Sequence, residues 1–174
     1  MAVDNLNLGV RKGEIFGLLG VNGAGKTTTF KMLTGDISIS SGDAFISSYS
    51  VRHDLKNAHA HIGYCPQFDA CLELLTGWET LRIFCQIKGI KEVNIPRVIQ
   101  RISENLLLTK FLDQPFGTYS GGNKRKLSTA ISMIGNPSII FLDEPTAGSF
   151  KSFPFGREIS EFHFRTLFPK GLSP

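Results

Sequence analysis

The chain has no long hydrophobic run. No stretch of its 174 residues approaches the ~18 consecutive apolar residues of a membrane-spanning helix. The N-terminus also lacks an apolar run of signal-peptide length. Any role at a membrane must therefore come from a partner segment outside this sequence.

Cysteines are also few. Cys65, Cys71 and Cys85 are odd in number and include no CxxC pair, a pattern typical of reduced intracellular thiols rather than of a disulfide framework or a zinc site. Apolar residues make up 41% and charged residues 20% of the chain, which is ordinary for one globular domain. The net charge of +4 suits an anionic ligand, but a mildly basic surface explains it as well, and we expect no nucleic-acid partner.

One motif indicates a phosphate-containing ligand. It is a complete G-x-x-x-x-G-K-[ST] phosphate-binding loop that consists of Gly20, Val21, Asn22, Gly23, Ala24, Gly25, Lys26 and Thr27, with Thr28 beside it. The glycines let backbone N–H groups approach phosphate oxygens, and Lys26 adds a charge for the β- and γ-phosphates. The Thr27 hydroxyl is placed to ligate Mg²⁺.

The surroundings of this loop fit the motif. The apolar run at 14–19 predicts a buried strand before the loop, and the residues from Lys26 to Leu33 predict a helix whose positive end faces the anion. The alternative is a glycine-rich surface turn before an ordinary helix. Strand, loop and helix in this order favour the phosphate site.

A second element is the apolar run from Ile139 to Leu142, which predicts a buried parallel strand and is followed by Asp143 and Glu144. Asp143 at the strand's carboxyl end could hold the Mg²⁺ hydration shell beside Thr27. Glu144 could act as a general base on an attacking water. The alternative is a pair of solvated acids at a strand end.

A third element is the segment from Tyr119 to Asn123. Ser120 is a good N-cap, and Gly121 and Gly122 bring N–H groups to the surface at a helix N-terminus, which is a second anion site. The alternative is a plain capped turn.

The remaining pattern predicts an edge strand at 1–10 and short strands at 44–46 and 62–65. Three helices are expected: one opened by the capping box Thr76-Gly77-Trp78-Glu79 and closed near Gly89, one after Asn94, and one from Ser120 to the Asn136-Pro137 stop. The predicted fold class is α/β, with a helical block near 76–136 between two strands of the phosphate site.

The order of these elements resembles the nucleotide-binding domain of ABC transporters over residues 2–148. The loop at 20–27 is similar to the Walker A motif and 139–144 to Walker B. Gln67 in Cys-Pro-Gln-Phe resembles the Q-loop glutamine, although a polar residue after Pro66 could simply cap a turn. Residues 119–123 resemble the signature, with Tyr and Asn in place of the commoner Leu and Gln. The stretches 31–35, 63–67 and 120–128 resemble most closely subfamily A, the lipid exporters, and its second nucleotide domain.

The resemblance implies a P-loop core with antiparallel edge strands, and it implies ATP and Mg²⁺ as ligands. Two such domains would meet head to tail, so that each ATP lies between one P-loop and the signature of the partner. Thr27, Gln67 and Asp143 would organise Mg²⁺, Lys26 would stabilise the phosphates and Glu144 would be the base.

Transmembrane domains of the transporter would be further partners, which implies a place at the cytoplasmic face of a membrane. The segment Lys124-Arg125-Lys126 is expected to be mostly a solvated helix face.

The pattern changes after Gly148. The family's D-loop is replaced by Ser149-Phe150-Lys151, and six of the fourteen Phe fall in 149–174, a segment without period. His163 is too early for the switch histidine, and no aromatic precedes the first strand to stack on adenine. These departures predict a partial domain at 1–148 and an unrelated, disordered tail at 149–174; a divergent C-terminus is the alternative.

Three functional hypotheses remain. The first is ATP binding and hydrolysis that drive lipid export. The second is a non-catalytic fragment that binds nucleotide or a partner domain without turnover. The third, a soluble ABC ATPase acting on nucleic acid or ribosomes, fits the stretches similar to subfamily A poorly.

Overall fold

The computed structural model describes residues 3–67 and 71–143. The residues from Glu144 onward, and with them the predicted base and the predicted tail at 149–174, lie outside the described residues. Nine elements follow in chain order: α1 (Lys26–Leu33), β1 (Phe45–Ile46), β2 (Tyr49–Ser50), α2 (Leu55–Ala60), β3 (Ile62–Cys65), α3 (Gly77–Ile87), α4 (Ile95–Asn105), α5 (Gly121–Met133) and β4 (Ile139–Leu142). Three short 3₁₀ turns, at Glu92–Asn94, Thr109–Phe111 and Phe116–Thr118, connect the helices.

The described strands form two small sheets. β1 and β2 pair antiparallel as a hairpin, and β3 and β4 pair parallel with Ile62 opposite Ile139 and Cys65 opposite Leu142. The parallel pairing of β4 confirms the prediction for this strand. The predicted burial holds only for Phe141, because the other three residues of β4 are half-buried. The 73 residues between β3 and β4 in sequence are therefore a crossover that contains α3, α4 and α5.

α3, α4 and α5 share one apolar cluster. Its most deeply buried side chains are Leu81, Cys85, Ile95, Ile99, Leu108, Leu127, Ala130 and Ile134. The 3.6-residue spacing of these side chains predicts the helices because it places them on one face of each. α3 begins with the predicted capping box: the Thr76 hydroxyl accepts the Glu79 N–H, and the Glu79 carboxylate accepts the Thr76 N–H.

A second cluster lies on the β3–β4 side. It is formed by Ile46, Val51, Ala58, Ile62 and Phe141. α1 joins this cluster through Phe30, whose ring centroid lies 5.6 Å from that of Phe141. This contact seats the helix that follows the phosphate loop on the strand that precedes Asp143.

Two strand predictions are wrong. Residues 3–10 and the segment 14–19 form no strand in the described part of the chain, and only Leu19 makes an isolated bridge. Several of their large apolar side chains are about 40% exposed: Leu8, Val10 and Leu19. A strand needs a backbone partner as well as an apolar pattern, and no described strand pairs with either segment.

Two smaller differences concern helices. α2 is absent from the predictions because it is a single short helix with only Ala58 buried, too short to show a period. α5 ends at Met133, before the predicted Asn136-Pro137 stop, because the backbone becomes extended at Ile134. Gly135 and Asn136 follow in left-handed conformations, at φ 88° and 53°. None of the three cysteines forms a disulfide.

Candidate nucleotide site

The loop at 20–27 closes onto the start of α1. Gly23 and Gly25 both have left-handed backbone conformations, with φ of 85° and 88°, and Gly25 is the N-cap of the helix. Only glycine adopts these angles without strain, which explains the second glycine of the motif, Gly25, and favours glycine at position 23, which the motif leaves open. Between them, the Ala24 N–H donates to the Val21 carbonyl at 3.1 Å and turns the chain. The loop therefore presents its backbone at the positive end of an eight-residue helix.

The Lys26 ammonium bends back over the start of this loop. Its Nζ donates to the Gly20 carbonyl at 2.6 Å and to the Val21 carbonyl at 3.0 Å. An ammonium has three hydrogens, and these two bonds use two of them. The side chain is half-buried, so the positive charge is held at the loop rather than extended into water.

The three threonines after Lys26 play different parts. Thr27 is exposed and Thr28 is half-buried on the first turn of α1, whereas Thr29 is buried. The Thr29 hydroxyl donates to the Gly25 carbonyl at 2.9 Å, which also accepts the Thr29 N–H at 2.8 Å. Thr29 thus fixes the junction of loop and helix. The motif pattern stops before this residue and misses it.

The other loop residues, Val21 and Asn22, are exposed, Ala24 is half-buried, and Gly20 is half-buried. Val21 is 80% exposed, which is unusual for an apolar side chain of this size.

The carboxyl ends of β3 and β4 lie side by side. The Asp143 N–H donates to the Cys65 carbonyl at 3.0 Å, which extends the parallel ladder one residue beyond β4. Gln67 follows β3 after Pro66 and is exposed, and Asp143 is half-buried. The structure therefore brings two of the three predicted Mg²⁺ ligands, Gln67 and Asp143, to one edge of the sheet.

The pKa of the Tyr64 phenol is affected by the groups at this edge of the sheet. Burial raises its pKa, and the negative charge of Asp143 raises that pKa further, with a smaller contribution from Asp36. The carboxyl group of Asp143 therefore lies close to Tyr64 at the end of β3.

The segment at 119–123 opens α5 as predicted. The Ser120 hydroxyl accepts the Asn123 N–H at 3.3 Å, Gly121 is exposed and Gly122 is half-buried. Tyr119, immediately before, is buried and its hydroxyl donates to the Phe111 carbonyl at 2.6 Å. The helix N-terminus is thus exposed while the residue before it is anchored.

The prediction of a solvated helix face at 124–126 is wrong for Arg125. It is only 3% exposed, and its guanidinium donates to the carbonyls of Pro66, Gln67 and Asp143. Sequence reasoning missed it because a search for apolar periodicity skips a polar residue. The available signal is that Arg125 shares a helix face with Ser128, Thr129 and Ser132, all buried.

The donors at this site suit a phosphate ester with Mg²⁺. Thr27, Gln67 and Asp143 offer hydroxyl, amide and carboxylate oxygens, the ligand class that Mg²⁺ prefers. Within residues 3–67 and 71–143 no group of three or more His, Cys, Asp or Glu could hold a metal ion. A Mg²⁺ ion here would therefore take most of its ligands from phosphate oxygens and water, as it commonly does.

The described residues contain no helix that is both long and apolar enough to cross a membrane.

Solved structures share this fold. The chain superposes on cbiO1 from Clostridium perfringens, described as part of the ABC transporter complex cbiONQ, with a TM-score of 0.77 and 24% identity, over 84% of this chain and 60% of that one. It superposes on the ATP-binding cassette MJ0796, a dimer in a post-hydrolysis state bound to ADP and Pi, with a TM-score of 0.75 and 22% identity, over 84% and 67%. At these identities the likeness shows the fold alone.

Curated proteins of higher identity belong to one subfamily. The chain is 57% identical over 148 residues to human ATP-binding cassette sub-family A member 2 and 56% identical over 147 residues to human retinal-specific phospholipid-transporting ATPase ABCA4. It is 53% identical over 148 residues to human phospholipid-transporting ATPase ABCA3. These matches cover 84–85% of this chain but only 6–9% of each relative's length. The family model of the ABC transporter matches residues 3–147, and the chain belongs to that family.

Proposed function

We propose that this chain binds ATP with Mg²⁺ and contributes, within an ABC transporter, to ATP hydrolysis that drives lipid export. The observation that carries the proposal is the loop at 20–27, where two left-handed glycines and the Lys26 ammonium meet at the N-terminus of α1. Backbone N–H groups, helix dipole and ammonium all favour an anion at the same point.

In the proposed complex, Lys26 contacts the phosphates of ATP. In the present structure its ammonium bonds to two loop carbonyls, which are neutral acceptors. Phosphate oxygens are charged acceptors and form stronger hydrogen bonds with an ammonium. We expect the β- and γ-phosphates to replace at least one carbonyl while the loop keeps its shape through Thr29.

Mg²⁺ would be held by Thr27, Gln67 and Asp143 and would neutralise charge on the phosphates. Thr27 stands on the first turn of α1, and Asp143 follows the strand on which α1 packs through Phe30 and Phe141. Glu144 is proposed as the base that orients the attacking water, because it comes directly after Asp143.

The exposed N-terminus of α5, with Ser120, Gly121 and Gly122, is proposed to face the γ-phosphate of ATP on a partner nucleotide-binding domain. Transmembrane domains are the second class of partner, and they place the chain at the cytoplasmic face of a membrane. The names of the phospholipid-transporting relatives support lipid as the cargo.

The test of ATP binding is a titration of the purified chain with a fluorescent ATP analogue in Mg²⁺. Lys26→Ala should remove most of the affinity, since it deletes the main charge on the phosphates. Lys31→Ala is the matched control, because Lys31 is an exposed lysine in the last turn of the same helix. Equal binding by wild type and Lys26→Ala would contradict the proposed site.

A non-catalytic fragment is the competing proposal. Both share the phosphate loop, so they are separated by phosphate release in Mg-ATP with and without a second nucleotide-binding domain of subfamily A. The chain alone should show no appreciable turnover, because the γ-phosphate then lacks the donors of a partner signature. Turnover that appears with the partner and is abolished by Glu144→Gln supports hydrolysis, and its absence supports the fragment.

A further inference from the structure

Arg125 connects three parts of the candidate site. It lies in the second turn of α5, and its guanidinium spans the carboxyl ends of two neighbouring strands. One terminal nitrogen donates to the carbonyls of Pro66 and Gln67, the latter at 3.4 Å, and the other donates to the carbonyl of Asp143. Arg125 therefore links three parts of the structure. Its side chain contacts the segment after β3 and the residue after β4, and its backbone belongs to α5, whose N-cap is Ser120.

The chemistry of the guanidinium suits this task. It is planar, always charged, and carries N–H donors at fixed angles, so it can hold acceptors on two strands at once. A lysine ammonium is a compact point charge on a flexible stem and lacks this fixed fork. The cost of burying the charge at 3% exposure is offset by the carbonyl dipoles that surround it.

The carbonyls that Arg125 holds belong to residues of the candidate Mg²⁺ site. The backbone carbonyls of Gln67 and Asp143 are both held by the Arg125 side chain from α5. Groups that orient metal ligands from behind set how well the ligands converge.

We propose that Arg125 is a positioning residue that holds Gln67 and Asp143 in register with the N-terminus of α5, so that the Mg²⁺ ligands and the signature helix move as one unit. This proposal rests on the proposed function, because it assigns Arg125 a role in the Mg²⁺-dependent part of nucleotide binding. It predicts that Arg125 has little effect on the phosphate loop itself, whose contacts come from Gly20, Val21 and Gly25.

The experiment compares the affinity of the purified chain for a fluorescent ATP analogue in Mg²⁺ and in EDTA. The ratio of the two dissociation constants measures the gain due to Mg²⁺. In Arg125→Lys this gain should fall by about tenfold or more, as is typical when a group behind a metal ligand is lost. The affinity in EDTA should stay within about twofold of wild type, because Lys26 is untouched.

Lys126→Ala is the matched control, since it removes a neighbouring cation on the same helix that is only half-buried. It should keep the wild-type gain. An unchanged Mg²⁺ gain in Arg125→Lys would overturn the proposal. So would an equal loss in Mg²⁺ and in EDTA together with a lower melting temperature, because that pattern means a purely structural role.

Hydrogen exchange on the wild-type chain tests the role of Arg125 without a variant, and therefore also if Arg125→Lys does not fold. Adding Mg²⁺ to the ATP-bound chain should slow exchange in the first two turns of α5 together with Gln67 and Asp143. A response confined to the loop at 20–27 would overturn the role of Arg125. If wild type binds the analogue no better than Lys26→Ala does, the nucleotide site itself is wrong, and this role of Arg125 falls with it.

Discussion

The hydroxyl of Tyr119 occupies the space that a Cβ atom on residue 77 would need. Gly77 begins α3, Tyr119 precedes α5, and a methyl group at 77 would overlap the phenol oxygen. That oxygen is not free to retreat, because it donates to the Phe111 carbonyl at 2.6 Å and the Tyr119 ring packs against the rings of Phe111 and Phe116. The glycine of the capping box and the tyrosine before the signature therefore fit each other.

This fit predicts a compensating pair. Gly77→Ala should destabilise the chain by about 1–3 kcal/mol, the usual cost of overpacking. In a Tyr119→Phe background the same change should cost clearly less, since the obstructing oxygen is gone, although Tyr119→Phe alone leaves the Phe111 carbonyl without this donor. Urea unfolding of the four proteins gives the coupling energy. Purely additive effects would mean that the two residues do not meet.

A second glycine seats β3 on α5. A Cβ on Gly63 would overlap the Ser132 carbonyl and lie 3.0 Å from the Pro137 ring. Because a backbone carbonyl cannot move aside as a flexible side chain can, Gly63→Ala should cost at least about 3 kcal/mol, the upper part of the range for overpacking. Gly9→Ala is the control, since a Cβ there meets nothing within 4 Å. Comparable melting temperatures for the two variants would show that β3 does not pack this closely on α5.

The capping box predicts a pH dependence. Hydrogen bonds from the Thr76 N–H and hydroxyl lower the pKa of Glu79 below its ordinary value of 4.5. A carboxyl with a lowered folded-state pKa stabilises the fold above its unfolded pKa and loses this effect as the pH falls through the folded value. Wild type should therefore exceed Glu79→Gln in stability at neutral pH, and the difference should shrink below about pH 4.5. Thermal melts from pH 7 to pH 3 measure it, and a constant difference would contradict the capping contact.

Thr76→Ala removes the other half of the box. The Thr76 hydroxyl accepts the Glu79 N–H at 3.2 Å, and loss of such an N-cap costs about 1 kcal/mol. Thr76→Ser keeps the hydroxyl and should recover most of this loss. Urea denaturation of the three proteins provides the comparison; a serine variant as unstable as the alanine variant would point to lost methyl packing instead.

The ring pair Phe30–Phe141 predicts a link between stability and nucleotide binding. Phe141 is 7% exposed, so Phe141→Ala should cost about 3–5 kcal/mol, whereas Phe141→Leu should cost less because it leaves a smaller cavity. Since this pair seats α1 on β4, the leucine variant should also lose part of the Mg²⁺-dependent affinity for an ATP analogue. Leucine at Ile46, a buried residue of the same cluster that is not part of the ring pair, is the control. Equal affinities in both leucine variants would show that the ring contact does not position the site.

The local features could be read from the sequence because they depend on neighbours in the chain. α1 starts at Lys26 because Gly25 supplies a left-handed residue, and α3 starts after Thr76 because Glu79 completes a reciprocal cap. β3 runs from Ile62 to Cys65 and is followed by Pro66, as the pattern predicts. The loop motif, the strand before Asp143 and the cap at Ser120 belong to the same class.

Only the tertiary structure decided what meets across long sequence separations. The segment at 14–19 has the composition of a strand, but a strand exists only where a second backbone pairs with it, and composition does not report that partner. Arg125 looks like a solvated cation in a basic run, yet packing of α5 on the ends of β3 and β4 buries it against three carbonyls. Tyr119 and Gly77 are 42 positions apart, and their fit arises only when α3 and α5 share one core. Short-range rules act through covalent geometry and local hydrogen bonds, whereas burial and pairing depend on which distant surfaces the chain brings together.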